Sequence, residues 1–75
     1  MESEGKILSK SILTKREKEV FELLILNKTT KEIAQELDIS EKTVRNHISN
    51  AIQKLGVKGR AGAVVELLKL KEISL

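Results

Sequence analysis

The side chains best suited to binding chemistry in this chain cluster on one side of a single predicted helix. At about 100° per residue, the polar residues between positions 42 and 53 fall on an arc without an acid or a large apolar group. Arginine, asparagine and serine carry donors and acceptors that match base edges and phosphate oxygens. The pattern therefore predicts a surface suited to nucleic acid, and its members are Lys42, Arg45, Asn46, Ser49, Asn50 and Gln53.

The net charge of +3 is unevenly distributed along the chain. Residues 1–41 carry seven bases and nine acids, a net charge of −2, whereas residues 42–75 carry seven bases and two acids, a net charge of +5. One-sided positive charge is typical of proteins that bind polyanions. The alternative on charge alone is a solvated basic face without a partner.

Other reactive groups are scarce in the 75 residues. The chain has one histidine, His47, and no cysteine, so it has neither a thiolate metal site nor a disulfide framework. No second candidate ligand accompanies His47, which we expect to pack in the core or to touch phosphate. Because a Gly-rich phosphate loop is also absent, the composition predicts a protein that is not an enzyme and uses no metal or cofactor.

The sequence predicts no segment that would insert in a membrane. The longest apolar run, Ala61–Val65, has five residues, and Glu2 and Glu4 occupy positions where a signal peptide needs positive charge. We therefore expect a cytoplasmic protein, and the absence of cysteine fits a reducing compartment.

Two capping boxes predict where the first two helices begin. Thr14 is followed three residues later by Glu17, and Thr29 is followed at the same spacing by Glu32. Apolar residues at helical spacing continue each segment. The second helix is expected to end near Asp38, a residue type that tolerates the left-handed backbone.

A turn of about three residues then leads into a third helix. Ser40 is a good N-cap for a helix over 41–55, and Gly56 is a good stop for it. Two helices joined by so short a turn have the spacing of a helix-turn-helix unit. The polar arc of the third helix lies opposite an apolar arc formed by Val44, Ile48, Ala51, Ile52 and Leu55.

The fourth predicted helix, over 60–70, is apolar on two sides. We expect one side to face the core, namely Ala61, Val64, Val65 and Leu68. Three short helices cannot also cover the second side, so we expect it to meet a second copy of the chain. The expected dimer residues are Ala63, Leu67 and Leu70.

These patterns divide the chain into a flexible N-terminal arm, residues 1–12, and one all-α, four-helix domain over 13–75. A domain of this size buries only about 60% of the surface that its unfolded chain exposes. Stabilisation by a partner subunit is therefore expected. Arg16 is expected to tie the first helix to the rest of the domain, and Gly62 to cost up to about 1 kcal/mol relative to alanine in the fourth helix.

The segments that begin at Leu13, Thr29 and Arg60 resemble a known family. Its skeleton is Leu-Thr-x-Arg-Glu, then Ile-Ala-x-x-Leu, then Ser-x-x-Thr-Val-(Lys/Arg)-x-His, then Lys-Leu-Gly-Val. Over about residues 13–70 the chain resembles the LuxR/FixJ-type helix-turn-helix transcription regulators. The matching residues are Leu13, Thr14, Arg16, Glu17, Ile33, Ala34, Leu37, Ser40, Thr43, Val44, Arg45, His47, Lys54, Leu55, Gly56 and Val57.

The resemblance implies a domain that dimerises through its last helix and inserts its third helix into the major groove of double-stranded DNA. The family's base-reading positions fall on Arg45, Asn46 and Ser49. Its phosphate-contacting positions fall on Thr29, Thr30, Lys42, Thr43 and Lys54, to which the charge pattern adds Lys58. A free-standing domain of this length is similar to family members that control late sporulation genes.

Two alternative functions remain open on the sequence. The −35-reading segment of a sigma factor shares the Thr-x-Arg-Glu start and the Ile-Ala and Thr-Val core. A protein-interaction adaptor could instead dock a partner on the apolar fourth helix, with DNA binding lost. RNA polymerase is an expected further partner of a transcription regulator, and no motif indicates a small-molecule ligand.

Overall fold

The structure is a computed structural model that describes residues 12–74. These residues form four α-helices and no strand, as the sequence predicts. The helices are α1 (Lys15–Leu24), α2 (Thr30–Leu37), α3 (Glu41–Leu55) and α4 (Arg60–Lys69). Except for Ile12, which is exposed, the predicted N-terminal arm lies outside the described residues.

Side-chain caps fix the start of the first three helices. The Thr14 hydroxyl accepts from the Glu17 N–H at 3.1 Å, and the Glu17 carboxylate accepts from the Thr14 N–H at 2.9 Å. Thr29 and Glu32 form the same reciprocal pair at the start of α2. Both predicted capping boxes are confirmed. At α4 the cap residue is Gly59, which offers no side-chain hydrogen bond.

All four helices end in the same backbone motif. One residue with positive φ follows each helix, and the N–H groups around it bond back to carbonyls of the last turn in the Schellman arrangement. The left-handed residues are Asn27 (φ 66°), Asp38 (φ 59°), Gly56 (φ 67°) and Lys71 (φ 60°). Three of the four helices therefore end without glycine. The left-handed residue that follows α2 is Asp38, so the turn lies where the sequence predicts it.

Helix α3 is the centre of the domain, because it packs against each of the other three helices. Its predicted apolar arc faces inward, with Val44, Ile48 and Ala51 buried. The other large side chains that are fully buried come from α1, α2 and α4 and are Val20, Phe21, Ile33 and Leu67. The polar arc of α3 is consequently held outward by burial of its opposite side. Leu26, just beyond α1, is 64% exposed.

The orientation of α4 corrects the predicted dimer face. Ala63 and Leu67 are fully buried within a single chain, so their side chains are not available to a second copy. Val65, expected to face the core, is 51% exposed, and Leu70 is 48% exposed. Both sides of α4 carry apolar residues, so periodicity alone could not determine which side packs on α3.

Two further contacts hold α4 in this orientation. A Cβ built at Gly62 would lie 3.3 Å from Cβ of Val57, so the missing side chain lets the loop before α4 pack closely on the helix. Beyond α4 the chain folds back, because Ile73 is buried in the core and the Nζ atom of Lys18 lies 3.8 Å from a carboxylate oxygen of Glu72. Gly62 therefore has a packing role in addition to its expected cost in helix propensity.

Candidate nucleic-acid interface

The N-terminal end of α3 is ordered by its own side chains. The Ser40 hydroxyl accepts from the Thr43 N–H at 3.0 Å and lies 2.9 Å from the Thr43 hydroxyl. Thr43 is half-buried, whereas Lys42 beside it is exposed. The first turn of α3 thus has a fixed backbone and one free cation at its surface.

The outer face of α3 has the exposure that the sequence predicts. Between Lys42 and Gln53 the exposed side chains recur at helical spacing, while the residues between them are half-buried or buried. Arginine, asparagine and serine therefore project from a helix whose other side is fixed in the core. The exposed members of this face are Lys42, Arg45, Asn46, Ser49, Asn50 and Gln53.

Arg45 has an acidic neighbour that the sequence analysis missed. Its Nη1 atom lies 3.5 Å from Oε1 of Glu41, one helical turn earlier. Both side chains are largely open to solvent, at 54% exposure for Arg45 and 45% for Glu41. A pair of this length and exposure stabilises a helix by at most about 0.5 kcal/mol. Arg45 therefore remains available to an external ligand.

The other expected phosphate contacts lie at helix ends and in the loop before α4. Thr29 caps α2, and Thr30, its first residue, is half-buried. Backbone N–H groups at helix N-termini favour anions, so α2 and α3 both present suitable ends. Lys58 is exposed in the loop between α3 and α4.

Lys54 has a different partner from the one expected. Its Nζ atom donates to Oε1 of Glu17 at 2.8 Å, and Glu17 is only 3% exposed. The same oxygen accepts from the Thr14 N–H, so one carboxylate joins the start of α1 to the last turn of α3. The structure thus gives Lys54 a role in an ion pair with a buried carboxylate, whose charge its ammonium group neutralises, and the predicted contact of Lys54 with phosphate stays a prediction.

The electrostatics of this cluster favour the ionised form of Glu17. Burial raises the pKa of its carboxyl, but hydrogen bonds from Lys54 and Thr14 and the positive charges of Lys54 and His47 together outweigh burial. The pKa of Glu17 is therefore below its ordinary value of 4.5. His47 is half-buried, and its coulombic interaction with Glu17 is the smallest of the contributions that lower the pKa of Glu17.

The residue that ties α1 to the domain is thus Glu17 and not Arg16. Arg16 forms an exposed pair with Glu19 inside α1, at 3.1 Å between Nη1 and Oε1. Helical spacing could have indicated Glu17, because it falls one turn before Val20 and Phe21 on the apolar side of α1. The capping box with Thr14 already explains a glutamate at position 17, so the sequence alone did not indicate its contact with α3.

Neither a metal cluster nor a membrane span is found in the part of the chain that the structure describes. No group of three or more histidine and acidic residues there could hold a metal ion. No helix among residues 12–74 has both the length and the apolar character to cross a bilayer.

Comparison with known proteins agrees with this architecture. The sequence profile described as "Bacterial regulatory proteins, luxR family" matches residues 11–67. The chain belongs to the luxR family of bacterial regulatory proteins. It is similar to the spore germination protein GerE of Bacillus subtilis (strain 168), with 72% identity over 72 residues, 96% of this chain and 97% of that protein.

A longer regulator and a solved structure extend the comparison. The transcriptional regulatory protein DesR of Bacillus subtilis (strain 168) is 60% identical over 52 residues, which is 69% of this chain but 26% of DesR. The solved "Structure of Transcription factor, GerE" aligns with a TM-score of 0.85 and 62% identity, covering 87% of this chain and 97% of that one. This chain is therefore a GerE-like, DNA-binding transcription regulator. The family assignment favours the LuxR-type reading over the sigma-factor segment.

Proposed function

We propose that the chain is a homodimeric regulator of late sporulation genes that inserts α3 into the major groove of double-stranded DNA. The observation that supports this best is the exposed polar face of α3, which opposes a fully packed apolar face. The similarity to a spore germination protein over 96% of the chain supports the sporulation role. On this proposal the protein acts in the bacterial cytoplasm, in the mother-cell compartment, with RNA polymerase as a further partner and no catalytic activity.

Sequence discrimination is assigned to Arg45, Asn46 and Ser49. All three are exposed on the outer face of α3. Arginine can donate two hydrogen bonds to guanine, and asparagine can pair with adenine in the same bidentate way. Serine adapts to either a donor or an acceptor, so the set can distinguish base pairs in the major groove.

Affinity is assigned to groups that neutralise or bind phosphate. Lys42 and Lys58 are exposed cations, and Thr29, Thr30 and Thr43 lie at the N-terminal ends of α2 and α3. Contacts of this kind fix the register of a protein on the duplex without reading its sequence. Lys54 is left out of the set because Glu17 already holds it.

Dimerisation is assigned to the exposed apolar residues of α4 and of its C-cap. Val65 in α4 and the cap residue Leu70 are each about half exposed, and the small domain would gain stability from covering them. Two copies related by a two-fold axis would place their α3 helices about 34 Å apart, in successive major grooves. Sedimentation of Val65→Glu tests this assignment, because an unchanged mass relative to the parent dimer would contradict it. The adaptor alternative uses the same face but predicts no DNA binding.

Selection of duplexes from a random pool is the direct test of the proposed function. The purified full chain should enrich an approximately palindromic site, and its binding should weaken steeply as salt is raised. Enrichment without symmetry would contradict the homodimer. Absence of any salt-sensitive gel shift would contradict DNA binding itself.

A further inference from the structure

Gln53 is an exposed residue of the outer face of α3 to which no contact has yet been assigned. Among residues 12–74 its side-chain amide makes no hydrogen bond. The base beside it, Lys54, is held by Glu17, and residues 42–65 contain no acid that could take up the amide. The donor and the acceptor of this side chain are therefore both open to an external partner.

Viewed down the axis of α3, Gln53 projects between two residues that are assigned to bases. At about 100° per residue, it points about 40° away from Ser49 on one side and about 20° away from Asn46 on the other. All three side chains are exposed. An orientation of α3 that turns Ser49 and Asn46 towards the floor of the major groove therefore turns Gln53 the same way.

Gln53 also lies within the length of helix that the proposed contacts hold against the duplex. It is four residues beyond Ser49, which is about 6 Å along the helix axis. Lys58, assigned to phosphate, follows the end of α3, so proposed contacts with DNA lie on both sides of Gln53 along the chain. Glutamine is longer than serine and can span a wider gap to the base edges.

We propose that Gln53 is a specificity-determining residue that reads an adenine in the major groove, beyond the bases assigned to Arg45, Asn46 and Ser49. This inference rests on the proposed role of α3 in base readout. A glutamine amide can donate to N7 of adenine and accept from its N6 amino group. Gln53 follows Arg45 by eight residues, about 12 Å of helix, and base pairs are about 3.4 Å apart. Its base pair should therefore lie roughly two to four base pairs from the one that Arg45 contacts.

Selection from a random pool with the parent and with Gln53→Ala tests this assignment. The parent should prefer A·T at one position of each half-site, and the variant should lose that preference alone. On the selected duplex the variant should bind roughly fivefold to a hundredfold more weakly than the parent. On a duplex in which this A·T pair is replaced by G·C, the two proteins should bind about equally. The slope of log affinity against log salt should not change, because an amide carries no charge.

Gln35→Ala is the matched control. Gln35 is the other glutamine of the chain, and it is also exposed on a helix, but it lies on α2 and outside the polar face of α3. The control removes the same amide group, and thermal melting checks that both variants remain folded. It should keep the parent preference at every base position.

The outcomes separate this inference from the proposed function. If the parent enriches no site, the proposed function is wrong and the inference falls with it. If the parent enriches a site and Gln53→Ala keeps every base preference, only the inference is overturned. An equal loss of affinity on all duplexes would place Gln53 on the DNA backbone, and a change of preference that Gln35→Ala reproduces would not be specific to α3. Either result overturns the inference and leaves DNA binding in place.

Discussion

Helix α3 carries two ion pairs whose surroundings differ sharply. Near its C-terminal end, Lys54 donates at 2.8 Å to a carboxylate that is almost wholly buried. Near its N-terminal end, Arg45 lies 3.5 Å from Glu41, and both side chains are about half exposed. The first pair joins two helices across 37 positions of sequence, whereas the second stays within one helical turn.

The contrast shows how one basic helix divides its charges between folding and binding. A cation that neutralises a buried acid cannot leave it without leaving an unpaired charge in the interior of the domain. A cation in a long, solvated pair loses little when it exchanges its partner for DNA. On the proposed assignment, one of the three cations of α3, Lys54, serves the fold, and the other two, Lys42 and Arg45, are left to bind DNA.

The largest expected effect follows from breaking the buried pair. Lys54→Met leaves the Glu17 carboxylate without its ammonium donor, so we expect the free energy of unfolding to fall by roughly 2–4 kcal/mol. Urea denaturation of the full chain measures this change. Lys58→Met is the matched control, because Lys58 is exposed, and it should stay within about 0.5 kcal/mol of the parent. A Lys54 variant as stable as the control would contradict the structural role.

The next effect concerns the exposed pair. Arg45→Ala should weaken binding to the selected duplex by roughly 1–3 kcal/mol and relax specificity at one base position. Its unfolding free energy should change by no more than about 0.5 kcal/mol, because the pair with Glu41 is solvated. Titration of the selected duplex and of single-base variants checks both the loss and its position. Equal losses on all duplexes would reassign Arg45 to phosphate.

A smaller and uniform effect is expected at Lys58. Lys58→Ala should weaken the selected and random duplexes alike and reduce the slope of log affinity against log salt by about one. Fluorescence anisotropy at several salt concentrations measures that slope. A slope equal to the parent's would remove Lys58 from the phosphate contacts.

The smallest expected effect on the buried pair comes from lowering the pH. The folded-state pKa of Glu17 is below its ordinary value of 4.5, so its stabilising contribution is complete above that value and is lost as pH falls through the folded-state pKa. The unfolding free energy of the parent should therefore fall more steeply below about pH 4.5 than that of Glu17→Gln. The pKa of Glu32 is also lowered, by the hydrogen bond from the Thr29 N–H. Because Glu32 is present in both proteins, its contribution cancels in the difference between their two curves. Parallel curves for the two proteins would contradict the argument.

Local chemistry made much of the fold predictable. The capping boxes at Thr14 and Thr29, the Ser40 cap and the Gly56 stop all depend on residues within a few positions of each other, and each is present in the structure. The outer face of α3 could be predicted for the same reason, because 3.6-residue periodicity separates its polar and apolar arcs.

The mispredicted features depend on contacts between distant segments. The partner of Lys54 is in α1, and the inward side of α4 is decided by packing against α3 and by the returning tail with Ile73. Periodicity indicates which residues of a helix share a side but not which of two apolar sides is covered. The expected dimer residues Ala63 and Leu67 were misassigned for this reason.

The most direct test of the division between folding and binding charges is the salt dependence of DNA affinity in the double variant Glu17→Gln/Lys54→Met. The two substitutions leave the net charge unchanged, and removing both charges avoids an unpaired buried carboxylate. If Lys54 serves the fold, the slope of log affinity against log salt should equal the parent's, while Lys58→Ala lowers it by about one. A slope lowered by about one in the double variant would show that Lys54 contacts phosphate, contrary to the account.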